Sequence, residues 1–246
     1  MCSLVLSFLP TDPWPVLIGA NRDEMLERPW DAPARYWAAR PGIIAGRDRL
    51  AGGTWLGMND HGVVAALLNR TGSLGPAPGK ASRGELPLFA LEHSTAHAAA
   101  RHIASIDASI YRSFNMIIID RRGGFVLRGL EREHPECQPV ERGITMITAG
   151  DPNDSRCPRI RRYHSQFVRA QRPDPTAADW SGWIRLLADC SEPAETSLNV
   201  MPSNGFGTVC SALIALRTSD LLFSFAAGPP DRAPFHTIDS KKPPQG

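Results

Sequence analysis

The chain has 246 residues, 42% of them hydrophobic and 21% charged, with a net charge of +2. That length buries a sizeable core in a single domain of the larger kind, and so small a net charge argues against a nucleic-acid partner. Five cysteines, an odd number with no Cys-x-x-Cys, give no disulfide framework, thiolate zinc site or covalent haem attachment, and fit a reducing compartment.

Cys2 to Leu9 is rich in strand formers and stops at a Pro/Asp turn, Pro10 to Pro15. It lacks a basic leader, so it is not a signal peptide, and no apolar run approaches the roughly 18 residues of a membrane span. The expectation is a cytoplasmic protein with no membrane span. Pro15 to Ala20 is a second apolar run, which makes the first 23 residues a hairpin with Asn21 and Asp23 on one face near Cys2. Arg28 to Pro41 reads as a loop. Strands follow at Ile43–Ala45, Thr54–Met58 and Val63–Leu68, divided by Gly52-Gly53 and by the hairpin signal Asn59-Asp60-His61-Gly62.

Beyond a Gly/Pro/Ser loop over Leu74–Arg83, the apolar spacing of Leu88, Leu91, Ala98, Ile103 and Ile106 predicts one helix from Glu85 to Ile106. Phe114–Asp120 and Phe125–Leu130 form a hairpin, Ile144–Ala149 a strand, and Arg159–Ala170 a basic amphipathic helix. The run Arg159, Arg161 and Arg162 reads as its solvated face. A further helix spans Ala177–Asp189 with Thr176 as N-cap, and Cys210–Leu216 pairs with Leu221–Phe225 in the last hairpin. Paired strands around a helical block predict two antiparallel sheets flanked by helices, in one domain over 1–235 with a flexible tail over 236–246.

Cys2 has two readings. Removal of Met1 would leave a thiol and an α-amine on one carbon, and the amine, titrating near about pH 8, could take the thiol's proton. Otherwise Cys2 is an ordinary buried thiol in a first strand. Gly52-Gly53-Thr54-Trp55 is either a pocket wall or a tight turn before a core tryptophan. Asn21 and Glu24 fit turn capping at least as well as chemistry. His93 and His97 share a helical i, i+4 spacing but lack a third ligand, and Asp151 to Asp154 reads as a helix cap; no dedicated metal site is expected.

Met1-Cys2, Ala20-Asn21-Arg22-Asp23-Glu24, Arg28-Pro29, Ala45-Gly46-Arg47-Asp48, Gly52 to Gly57 and Leu68-Asn69-Arg70 together resemble the NRDE family, also called the transport and Golgi organisation 2 family. The likeness is dense over residues 1–70, with weaker echoes at Asp154-Ser155-Arg156-Cys157-Pro158 and Gly207-Thr208. A more distant resemblance joins Gly57-Met58-Asn59-Asp60-His61-Gly62 and Leu68-Asn69 to the choloylglycine hydrolases and penicillin V acylases. Both groups look like N-terminal-nucleophile (Ntn) hydrolases, which implies an α+β, αββα sandwich. It further implies Cys2 as nucleophile, Asp23 holding its α-amine and Asn69 donating to an oxyanion, with Arg22 in play because the arginine beside the thiolate in those hydrolases falls at Ala20 here. Arg22 shares the sheet face of Ala20, about two 3.3 Å rises along the strand.

The family resemblance implies intracellular haem binding and trafficking, with haem as cargo passed to haem-acceptor proteins, and acyl-CoA or lipid binding as a minor variant. Haem would need basic groups for its propionates, for which Arg22, Arg47, Arg49 and Arg70 are available, and an axial ligand such as Cys2, Met58 or His61. The ligand-binding set so drawn is Asn21, Glu24, Arg47, Gly53, Trp55, Met58, His61 and Arg70. The alternative is a cysteine hydrolase of linear C–N amide bonds acting on a small acyl or amide ligand through Cys2.

Overall fold

A computed structural model describes residues 2–239. The expected flexible tail over 236–246 falls outside the described residues from position 240 onward. The described residues divide into two compact units, 2–28 with 141–238 and 29–140 with 239.

The first unit is a six-stranded antiparallel sheet ordered β10-β1-β2-β11-β12-β13. Its strands are β1 (Ser3–Phe8), β2 (Val16–Met25), β10 (Gly143–Ile147), β11 (Phe206–Leu216), β12 (Leu221–Ala226) and β13 (His236–Thr237). One face carries Val5, Leu17, Met146, Leu213 and Ala215 against α3 (Pro158–Arg169) and α4 (Ser181–Leu187). The buried stripe of α3 is Arg159, Ile160, Tyr163 and Phe167, a helical i, i+4 spacing that carries Arg159 inward with the apolar residues. Phe167 and Trp183 meet edge to face at 5.5 Å. Gly19 of β2 lets α4 come this close: a Cβ there would stand 3.1 Å from Leu187 and 3.2 Å from Trp183.

The second unit is a seven-stranded antiparallel sheet in chain order: β3 (Trp30–Ala34), β4 (Ile43–Asp48), β5 (Leu56–Asn59), β6 (Val64–Asn69), β7 (Phe114–Asp120), β8 (Gly123–Gly129) and β9 (Glu136–Pro139). Ala45, Val63, Ala65, Met116, Ile118 and Leu127 form a core with α1 (Leu86–Leu91) and α2 (Ala96–Ala104).

The α+β class with two antiparallel sheets is as expected, and several elements differ in detail. The single helix over Glu85–Ile106 is two helices. Thr95 accepts from Ala98 N at 3.2 Å and Asp120 from Ala96 N at 2.8 Å, so side chains offer the backbone a new helix start that periodicity does not see. The loop over Arg28–Pro41 contains β3, whose Pro33 is tolerated because this is a sheet edge. The other edge, β9, is exposed along its length and so has no alternation to detect. The last predicted helix starts late. Asp174, rather than Thr176, caps a 3-10 turn over Pro175–Ala177, and Ala178 is left-handed (φ 55), which stops the turn from running on into α4.

Trp183 is 1% exposed and fixes α4 to the sheet. Trp183→Ala is expected to cost about 3–5 kcal/mol, seen as a lower urea midpoint at unchanged slope.

Candidate functional site

The first unit gathers its chemistry where β1, β2 and β11 run side by side. Ser3 pairs with Asn21, Asn21 with Ser211, and Asp23 with Thr208. Paired residues of an antiparallel sheet share a face, so these groups lie on the face that carries α3 and α4. Thr208 and Ser211 are three apart in β11, yet their partners are two apart in β2. The difference is a bulge between Thr208 and Cys210. In a regular strand a separation of three would point Thr208 and Ser211 to opposite faces; the bulge absorbs one residue and keeps both on the face of Asp23 and Asn21.

Asp23 is the centre of this group, its side chain wholly shielded from solvent. Its Oδ1 accepts from Thr208 Oγ1 at 2.7 Å. The Thr208 hydroxyl in turn accepts from Val200 N–H at 2.8 Å, which directs its own proton to the carboxylate. Oδ2 accepts from an Arg159 guanidinium nitrogen at 3.1 Å, and the same nitrogen lies 3.3 Å from Ser3 Oγ. A buried carboxylate is tolerated only when paired and hydrogen-bonded, and both conditions are met.

Cys2 stands one step beyond the Ser3–Asn21 pair, alongside Arg22, and its thiol donates to the Asp23 backbone carbonyl at 3.6 Å. Burial and the Asp23 carboxylate push the thiol above its ordinary range, partly offset by that hydrogen bond and by the Arg22 charge. Arg22 is buried, pairs in register with Cys210, and sets a guanidinium nitrogen 3.8 Å from Glu24 Oε2. Burial also pushes the Cys210 thiol up, the Arg22 charge opposing it.

The other expected residues separate clearly. Asn21 is engaged at every polar atom: it donates to the Leu187 and Leu198 carbonyls, both at 2.9 Å, and accepts from Ser211 Oγ at 2.8 Å. It staples the 187–198 segment to β2. Glu24 bonds Met25 N and lies 3.7 Å from Arg28. In the second unit, Arg47 pairs with Asp31 at 2.7 Å and lies 4.3 Å over the Tyr36 ring, while Arg49 is exposed. Trp55 meets Trp30 edge to face at 6.2 Å. Gly53 abuts the backbone of Gly84, where a Cβ would come within 2.4 Å. Met58 is buried in β5, and His61 is exposed in the following turn. Arg70 donates to Asn115 at 2.6 Å, and Asn69 is half-buried at the end of β6. Among the described residues no group of three or more His, Cys, Asp or Glu side chains could hold a metal ion.

Arg159 overturns its sequence reading: it is a buried partner of a carboxylate, while Arg161 alone of the three is fully exposed. The signal available was its place in the Arg159–Tyr163–Phe167 stripe. Cys210 gave no signal of its own, since its neighbourhood depends on strand order.

The sequence model of the family described as Transport and Golgi organisation 2 matches residues 1–222. The bovine Transport and Golgi organization protein 2 homolog is 32% identical over 132 residues, and the mouse homolog 33% over 132. Each match takes in 49% of this chain and 45% of the relative, so the matched part spans just under half the length of these curated relatives. Among solved structures, the Caenorhabditis elegans ortholog of N-acylethanolamine-hydrolyzing acid amidase superposes with TM-score 0.55 at 13% identity, covering 89% of this chain and 95% of its own. A C2A mutant of the conjugated bile acid hydrolase from Clostridium perfringens gives 0.55 at 12%, covering 100% and 98%. Penicillin V acylase from Agrobacterium tumefaciens gives 0.52 at 12%, covering 92% and 83%. At these identities the likeness is one of fold, that of the Ntn hydrolases.

Removing Arg159 would leave the Asp23 charge without its buried cation. Arg159→Met is expected to destabilise the protein by about 3–5 kcal/mol, and the double variant Asp23→Asn/Arg159→Met to recover part of the loss, measured by chemical denaturation.

Proposed function

The chain belongs to the Transport and Golgi organisation 2 family, and on that premise we propose that its Cys2 centre is an N-terminal-nucleophile site that cleaves linear C–N amide bonds. The observation that carries this reading is the Cys2 thiol held on the main-chain carbonyl of Asp23, a residue whose carboxylate is locked by Arg159 and Thr208. Removal of Met1 frees the α-amine of Cys2. That amine takes the thiol proton, the sulfur attacks the amide carbonyl carbon, and the C–N bond breaks as the proton passes to the departing amine. Water then attacks the thioester, releasing the carboxylic acid and restoring the thiol. Asp23 is a positioning residue in this scheme: its anionic, fixed carboxylate orients the amine. Arg22 supplies positive charge on the thiol's side, which lowers the cost of forming thiolate and oxyanion.

Two measurements test it together. Intact mass is expected to show Met1 removed, and a panel of fluorogenic N-acyl amides to include a substrate whose kcat/KM falls at least about a hundredfold in Cys2→Ala. Retention of Met1, or turnover indifferent to Cys2, rejects the reading.

A second reading, haem binding and transfer to acceptor proteins, is favoured by one cluster in the second unit. Arg47 lies over the half-buried Tyr36 ring, which meets Trp37 edge to face, so a cation and aromatic surface stand together, a combination suited to a flat, acidic ring system. The candidate axial ligands are poorly disposed by comparison, since Met58 is enclosed and the Cys2 thiol resists ionisation. Haem titration followed by its absorption band is expected to saturate at micromolar haem and to weaken in Arg47→Ala. Binding that never saturates, or that ignores Arg47, rejects this reading.

A further inference from the structure

Two histidines of the second unit, outside the candidate site of the first unit, face each other at the C-terminal ends of α1 and α2. His93 comes just after Glu92, the C-terminal cap of α1, and His102 lies in the last turn of α2. His93 Nε2 and His102 Nδ1 are 2.9 Å apart, and the ring centroids are 5.1 Å apart at 78°. An imidazole nitrogen lies roughly 1.1 Å from its ring centre, so these two distances leave the nitrogens pointing almost straight at each other, as in an N–H···N hydrogen bond. Nitrogens converging on a shared metal at about 2.0–2.1 Å would have the same separation but centroids only about 4.5 Å apart. The geometry is that of a shared proton.

We propose that His93 and His102 form a proton-dependent clasp, closed by one shared proton and opened when a second proton is taken up, which ties the end of α2 to the end of α1. Both partners sit on anchored backbone. The Asn59 side chain donates to the His93 carbonyl at 2.7 Å and to the Leu91 carbonyl at 2.8 Å, while its Oδ1 accepts from His61 N and Val63 N at 3.0 Å each. The clasp therefore connects α2, the α1 terminus and the β5–β6 turn. With one proton between them, either imidazole supplies the N–H and the other the acceptor nitrogen.

Charged groups flank the pair on several elements. Glu92 lies beside His93 and is ion-paired to Arg40, which also covers the Phe89 ring at 5.7 Å. On α2, Arg101 neighbours His102, whereas His97 tilts against Phe125 of β8 at 5.9 Å. From β9, Glu136 is engaged by Arg128. Asp120 of β7 is spent on the far end of α2. Partial burial and His102 hold His93 below its ordinary 6.5, against a smaller opposing effect of Glu92. A histidine with a depressed native value contributes stability that is fully present above 6.5 and is lost as pH falls through its native value. The clasp thus loosens on acidification.

The test is histidine titration of the full chain by NMR, with His102→Ala, His102→Gln and His97→Ala. The expected results are a His93 midpoint below 6.5 that moves up toward 6.5 in His102→Ala and is unchanged in His97→Ala. The wild type should also lose denaturant resistance between about pH 7.5 and about pH 5.5, a loss reduced in His102→Ala. His102→Gln, which keeps a hydrogen-bonding group in place, provides the same comparison if the alanine variant does not fold. A His93 midpoint that ignores both His102 variants overturns the proposal. So does saturable binding of equimolar Zn2+ or Cu2+ that requires both imidazoles, since the pair would then be a metal site.

Discussion

A carboxylate removed from water has to be answered by charge and hydrogen bonds from its own neighbourhood, and in this protein Asp23 sets that condition for the first unit. Its oxygens are met by Arg159 from the first turn of α3 and by Thr208 from β11. Satisfying it fixes where α3 begins, which side of β11 turns inward, and how Ser3 and Cys2 are held at the start of β1. A buried pair of this kind contributes little net stability beyond what a well-packed apolar pair would give, because desolvation offsets most of the attraction. What it confers is placement: a fixed negative group at the polar end of β2, close to the Cys2 backbone and thiol.

The bulge at Val209 shows how narrow that placement is. One extra residue in β11 keeps both Thr208 and Ser211 on the helix-bearing face, where they meet Asp23 and Asn21. Asn21 then spends its whole amide on two loop carbonyls and Ser211, so its part in the conspicuous Asn-Arg-Asp-Glu run is architectural. The four residues divide their work by face: Asn21 and Asp23 toward the helices, Arg22 and Glu24 away from them.

In the second unit close backbone approaches replace charge as the organising constraint. Gly53 lies against Gly84, and Gly46 against the Trp55 ring, where a Cβ would stand 2.4 Å from the indole. The loop after β6 is held by arginines acting on backbone oxygens: Arg83 donates to the Ser73 and Ser113 carbonyls, and Arg112 to those of Gly72 and Leu74. A loop rich in glycine and proline, costly to order, is thereby fixed without secondary structure of its own.

Much of the fold is legible in the sequence. Alternating apolar runs and turn residues determined the hairpins of β1–β2, β5–β6, β7–β8 and β11–β12, because strand period and turn chemistry are local properties. The residues around Cys2 and Asp23 carried the family and the fold. Sequence could not determine which groups would meet across long separations. Arg159 read as one of three solvated arginines, because a basic residue next to an apolar stripe is usually outside. Only the packing of α3 on β1 and β2, 136 residues away from Asp23 in the chain, brings it onto the carboxylate. The break between α1 and α2 had the same origin, since the cap that starts α2 includes Asp120 from a distant strand. Periodicity records what each segment prefers, whereas the pairing of buried charges is decided by strand order and register, which exist only once the chain has folded.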